Sequence, residues 1–182
     1  MSDSMINLLF QGTLETIVMT LVSGFFGFLL GLPMGIFLFL TRKGQLLENK
    51  VSHQIVSVIV NIFRSIPFII LIVWMIPFTR TIVGTSIGVV AALVPLSVGS
   101  APFIARLVEN SLLEIPSGLI EAARSMGAKP LQIIRKVLLP EALPSLINNI
   151  SITLITLVGY SAMGGAVDKL VINTVISVTI SQ

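Results

Sequence analysis

Four long stretches of this 182-residue chain are nearly free of charge, and its polar residues gather between them. Residues 17–40 are 24 positions without a charge, about 36 Å as a helix and enough to span with some tilt. Residues 55–78 repeat the pattern with one interruption, Arg64. Residues 81–105 and 142–167 are the third and fourth uncharged runs. The segment 106–141 is polar, and its stretch 121–140, EAARSMGAKPLQIIRKVLLP, carries Glu121, Arg124, Lys129, Arg135 and Lys136. It predicts two short helices. The first starts at Pro116-Ser117 and stops at Gly127, a residue suited to the left-handed C′ position. The second starts at Pro130, a good N1 residue, and ends before Pro140. At about ten residues each, neither holds alone in water, so both must rest against other helices. The fold class expected is all-α, a polytopic membrane helix bundle of four spans plus a polar helix pair.

Composition reinforces the membrane reading. Hydrophobic residues make up 54% and charged residues 10%, where soluble domains carry about 25% charged. The net charge is +3 with a pI near 9.7, but the basic residues cluster in loops, which is membrane topology and not a nucleic-acid face. With no cysteine, a disulfide framework, thiolate metal site or cysteine nucleophile is excluded. No metal site is expected: the lone histidine, His53, has no acidic or cysteine neighbour and reads as interfacial. The start, MSDSMINLLFQGTLE, lacks a basic leader region, so the first span is expected to stay in the protein. With the N-terminus outside, the cytoplasm receives Arg42, Lys43, Lys50, Arg106, Arg124, Lys129, Arg135 and Lys136, and the outside receives Arg80 and Lys169. That eight-to-two split puts 121–140 in the cytoplasm.

Within the spans, Gly27, Gly31 and Gly35 recur every fourth residue on one face, a small-xxx-small pattern suited to close helix packing; glycine as ordinary membrane-helix composition is the alternative. Pro33 is a candidate kink. Residues 66–78 alone reach only about 20 Å of a core near 30 Å, so Arg64 is expected inside the membrane profile. Its cost of about 2.5–3.5 kcal/mol demands a cavity, a partner or free carbonyls, for which Pro67 and Pro77 are sources. It serves either a polar path or gate, or a buried structural role. Ser97 and Ser100 are candidate pathway hydroxyls, with bonding back to their own helix as the alternative. Tyr160, the chain's one tyrosine, and Met163 lie in Gly159-Tyr160-Ser161-Ala162-Met163-Gly164-Gly165. A phenol, a thioether and paired glycines suit a soft, adaptable constriction. An interfacial tyrosine with a filler methionine is the alternative.

Glu121-Ala122-Ala123, three residues, Gly127, nine residues, then Val137-Leu138-Leu139-Pro140 resembles the EAA signature of ABC-importer permeases, with Val137 where isoleucine is more usual. Six such positions coincide by chance on the order of 10⁻⁷ per start. The runs NIFRSIPFIILIVWMIPFTR (61–80) and ITLITLVGYSAMGGA (152–166) are similar to the methionine (D-methionine) uptake permeases. The resemblance implies that Glu121, Ala122, Ala123, Arg124, Gly127, Pro130, Leu139 and Pro140 form a coupling element docking on a separate ATPase. It implies a homodimer of permeases, two cytoplasmic ATPase subunits, an extracytoplasmic methionine-binding protein and a multi-pass place in the bacterial inner membrane. It implies no enzyme activity and no cofactor in this chain, ATP and magnesium lying on the partner; the chain has no G-x-x-x-x-G-K-[ST]. Arg64, Ser97, Tyr160 and Met163 are the expected translocation-pathway residues.

The resemblance covers 1–167, taken as the permease domain with its coupling helices at 116–140. The family implies a fifth span, whereas 168–182 reads as a divergent tail: from Leu170 it is 13 uncharged residues, β-branched and too short to cross. A truncated, frame-shifted or internally deleted product is the expectation, and an uncoupled membrane partner or an inactive permease the alternative function. An intramembrane serine hydrolase built on Ser161 is disfavoured, since Met163 stands where G-x-S-x-G needs glycine and His53 belongs to the opposite end of a span.

Overall fold

A computed structural model describes residues 3–85 and 88–180, with side chains described for 5–85, 88–165 and 167. The described residues form seven α-helices: α1 Asp3–Thr41, α2 Lys50–Ser65, α3 Phe68–Val83, α4 Val89–Leu113, α5 Ser117–Ser125, α6 Pro130–Ile133 and α7 Leu139–Ile180, with a π-helical turn Ile134–Leu138 between α6 and α7. Met5–Thr41, Val89–Leu113 and Pro130–Gly165 are each long and apolar enough to cross a membrane, and α2 with α3 supplies a fourth if the pair is one broken span.

The boundaries differ from expectation in six places. The first helix starts at Asp3 and not near Ile17; Glu15 is exposed, so one charge on an open face does not stop a helix. The second uncharged run is interrupted at Ile66-Pro67, because proline lacks an N–H and biases the preceding residue away from helical geometry. Arg64 therefore stands in the last turn of α2, and Pro77 is accommodated inside α3. Arg80 belongs to the last turn of α3, which closes on Gly84 at φ 81° with its N–H bonded to Arg80 O. The third run does not end at Ala105: α4 carries Arg106 and Glu109 two turns further, to Leu113. Pro140 does not end a helix either. Its ring opposes the carbonyl of Lys136, which lies in the wider π turn, and the chain passes on into α7. α7 continues to Ile180, so 168–180 extends a helix; the side chains of Asp168 and Lys169 lie outside the described residues.

The described residues pack as two compact units. One is drawn from Met1–Gly27, Ile66–Ser100 and Leu154–Gln182, the other from Phe28–Ser65 and Ala101–Thr153. In the first, Gly99 lets α4 close on α3: a Cβ there would meet Leu71 at 2.7 Å. Phe68 and Tyr160 stack with centroids 4.2 Å apart and planes 11° from parallel. In the second, Phe39, Leu40, Ile104, Val108, Leu112, Ile115, Ile120, Ala123, Ile133, Leu138, Ala142 and Leu146 form one buried cluster. Gly31 and Gly35 set its closest approach. A Cβ on Gly31 would lie 2.7 Å from Ile104 Cβ, and one on Gly35 would lie 2.6 Å from Ala105 O. Gly27, which belongs to the first unit, is buried as well.

Candidate functional site

The segment 116–140 is built on its buried side first. Ile120 and Ala123, three residues apart on α5, enter the cluster that holds Leu112, Ile133 and Leu138, which supplies the support that two short helices lack alone. This leaves Glu121, Ala122 and Arg124 exposed on the opposite side, with Leu119 at 41% and Met126 at 81% exposure. Helix α5 ends in a Schellman motif: Ala128 N donates to Ala123 O at 3.1 Å and Gly127 N to Arg124 O at 2.9 Å. Gly127 takes φ 78°, and a Cβ there would meet nothing within 4 Å. Within the chain, then, glycine is needed for its backbone angle and not for space. Lys129 is extended, and its N–H donates to Gln132 Oε1 at 2.8 Å, closing the first turn of α6 after Pro130. Of the residues assigned to coupling, Glu121, Ala122, Arg124, Gly127, Pro130 and Pro140 are exposed, Leu139 is half-buried, and Ala123 faces the core.

A second constellation lies on the last two turns of α4, before this segment. Glu109 is buried, its side chain 2% exposed, and its Oε2 accepts from Arg106 Nη1 at 2.6 Å. Arg42 Nη1, at the end of α1, stands 3.8 Å from the other carboxylate oxygen. Arg106 Nη2 donates to Asn61 Oδ1 at 3.0 Å and to the Ser57 hydroxyl, both on α2. On the next turn of α4, Asn149 of α7 donates to Leu107 O at 3.2 Å and to Ser111 Oγ at 2.6 Å, while Ser111 and Ser145 hydroxyls lie 3.0 Å apart. The last two turns of α4 are thus a polar joint among three other helices. The sequence reading missed it by assigning Arg106 to a loop. The available signal was the Arg106-x-x-Glu109 spacing, which places opposite charges on one helix face.

Arg64 is exposed on α2. Ser97 donates to Leu93 O at 2.7 Å and Ser100 to Ser97 O at 3.1 Å, so both hydroxyls are engaged by their own helix. Tyr160 is half-buried against Phe68, and Met163 is 41% exposed. Ser161 donates to Val158 O at 2.8 Å, and His53 Nδ1 lies 3.0 Å from Leu38 O. Each is occupied locally, which removes the basis for a serine hydrolase.

Residues 27–170 match the family described as binding-protein-dependent transport system inner membrane component. The chain belongs to this family. A D-methionine transport system permease protein MetI from Salmonella typhi is 70% identical over 165 residues, covering 91% of this chain and 76% of that protein. The protein of the same description from Escherichia coli strain K12 is 71% identical over the same shares. Among solved structures, an inward-facing MetNI methionine ABC transporter superposes with a TM-score of 0.91 at 70% identity, covering 92% of this chain and 78% of that one. The chain is an all-α, multi-pass inner-membrane component of an ABC importer.

Proposed function

We propose that this chain is the permease subunit of an ATP-driven methionine importer, two copies forming the pathway above two cytoplasmic ATPase subunits and below an extracytoplasmic methionine-binding protein. The observation that carries the reading is the 70% identity to D-methionine permeases across 91% of the chain. The exposed side of the helix pair supports the coupling role, because Glu121, Ala122 and Arg124 on α5, Gly127 in the turn after it and Pro130 at the start of α6 all stand exposed. Gly127 and the exposed Met126 offer a partner a bare backbone turn beside an adaptable thioether. Ala123 acts from behind, as the small residue that seats α5 on the core. ATP and magnesium are held by the partner, and this chain converts the partner's closure into movement of its own helices.

The N-terminus lies outside in this reading. Moving Arg106 from the loop into a buried pair takes the cytoplasmic basic count from eight to seven, still against two outside. The proposed pathway comprises Arg64, Ser97, Tyr160 and Met163, with the exposed Met163 thioether beside the Tyr160 ring as the apolar constriction.

The test is uptake of labelled L- and D-methionine into proteoliposomes containing this chain, its ATPase and internal ATP, with loaded binding protein outside. ATP-dependent accumulation is expected, and Gly127→Asp is expected to abolish it while the chain still inserts. Accumulation no greater than with the ATPase alone would sink the reading. Arg64→Leu with unchanged uptake would remove Arg64 from the pathway and leave the rest.

A further inference from the structure

Arg106 and Glu109 lie on one helix, one turn apart, so their own pair joins α4 to no other helix, and the tie to the end of α1 is the longer contact of Arg42 with Glu109 at 3.8 Å. Burying the pair costs desolvation of both charges, and stability alone is a poor account of why it is there. What the pair accomplishes is aim. With Nη1 fixed on Glu109 Oε2 at 2.6 Å, Nη2 is presented to α2, where it meets Asn61 Oδ1 at 3.0 Å and both the hydroxyl and the carbonyl of Ser57, the latter at 3.4 Å. Ser57 and Asn61 are one turn apart on α2. They belong to a polar stripe of His53, Ser57, Asn61 and Arg64, spaced for one helix face, while Val51, Ile55, Val58 and Ile62 are exposed elsewhere on α2.

The two halves of this contact differ in strength. The bond to Glu109 joins two opposite charges, and its carboxylate is buried, so it persists. The bonds to Ser57 and Asn61 go to neutral acceptors, and Arg106 is 18% exposed on its side chain, so water can replace them at little cost. The contact has a permanent half on α4 and a breakable half on α2. Helix α4 also runs directly into the coupling segment, since Val108, Leu112, Ile115, Ile120 and Ala123 share one core.

We infer that Arg106 and Glu109 are positioning residues for transport, a latch through which displacement of the coupling helices, carried by α4, reaches α2 and Arg64 at its end. This rests on the importer reading above. A latch of this kind couples the two processes, so breaking it separates ATP hydrolysis from uptake; a brace would lower both together.

The experiment measures methionine taken up per ATP hydrolysed in proteoliposomes holding the full chain, its ATPase and loaded binding protein. The deciding variant is Ser57→Ala with Asn61→Leu, which leaves the buried ion pair intact and removes the side-chain acceptors on α2. A second variant, Arg106→Met with Glu109→Gln, removes both charges together so that none is left buried alone. Both are expected to assemble with the ATPase and hydrolyse ATP, with uptake per ATP falling at least about fivefold, within the range of ordinary coupling energies. A wild-type ratio in the Ser57/Asn61 variant overturns the latch. So does a proportional fall of uptake and hydrolysis with the amount of complex assembled, which would make the contact a brace. Failure of the wild-type chain to take up methionine would remove the importer reading, and this inference with it.

Discussion

Arg106-x-x-Glu109 and Glu121-x-x-Arg124 are the same two residue types at the same spacing on consecutive long and short helices of one unit. Their states are opposite. Glu109 is buried and holds both ion pairs found among the described residues, whereas Glu121 and Arg124 stand apart in solvent. The difference teaches where a permease spends charge. On α5, charge stays in solvent and adds little to the fold. On α4, charge is enclosed and directed at a neighbouring helix, so its loss is felt inside the protein.

The sharpest way to break this comparison is Glu109→Ala, which strands the partly buried Arg106 guanidinium. Loss of one partner of a buried pair costs about 3–5 kcal/mol, so thermal unfolding in detergent is expected to shift down strongly and abundance to fall. Stability equal to wild type would mean that the two pairs are alike after all.

Next in size is the close approach that encloses α4. Gly35→Val places side-chain atoms where a Cβ would already be 2.6 Å from Ala105 O, and overpacking of this kind costs about 1–3 kcal/mol. Gly12→Val, with nothing within 4 Å of its Cβ position, is the control and is expected to leave unfolding unchanged. Equal effects at both positions would argue against a packed α1–α4 face in the second unit.

Gly127→Val forces a β-branched residue to φ 78°, at a cost of about 1–2 kcal/mol. Gly127→Asn, a residue that tolerates the left-handed region, is expected to keep most of that stability. If both variants unfold together, contact and not backbone angle is what requires glycine there.

The smallest effect is Glu121→Ala, a surface substitution expected to change unfolding by at most about 0.5 kcal/mol while weakening capture of the ATPase. A large destabilisation would show that Glu121, like Glu109, supports the fold.

By itself, the sequence determined the class and the short helices of the polar segment. Long uncharged runs have only one inexpensive conformation in lipid, and Pro116, Gly127 and Pro130 act through their own backbone chemistry, so the start of α5, its left-handed stop and the start of α6 were all readable from local residue type. The glycine spacing on α1 was readable for the same reason, as a periodicity. What only the tertiary structure decided was which polar residues the helices enclose. Arg106 and Glu109 look like loop residues in a hydropathy pattern, because hydropathy counts a charge without knowing that Ser57 and Asn61, 45 or more residues earlier, will stand opposite it. Pro140 reads as a stop because the sequence does not display the wider turn that admits its ring. Ala123 and Ala122 are identical neighbours in the sequence; burial on α5 makes one a seat and leaves the other exposed.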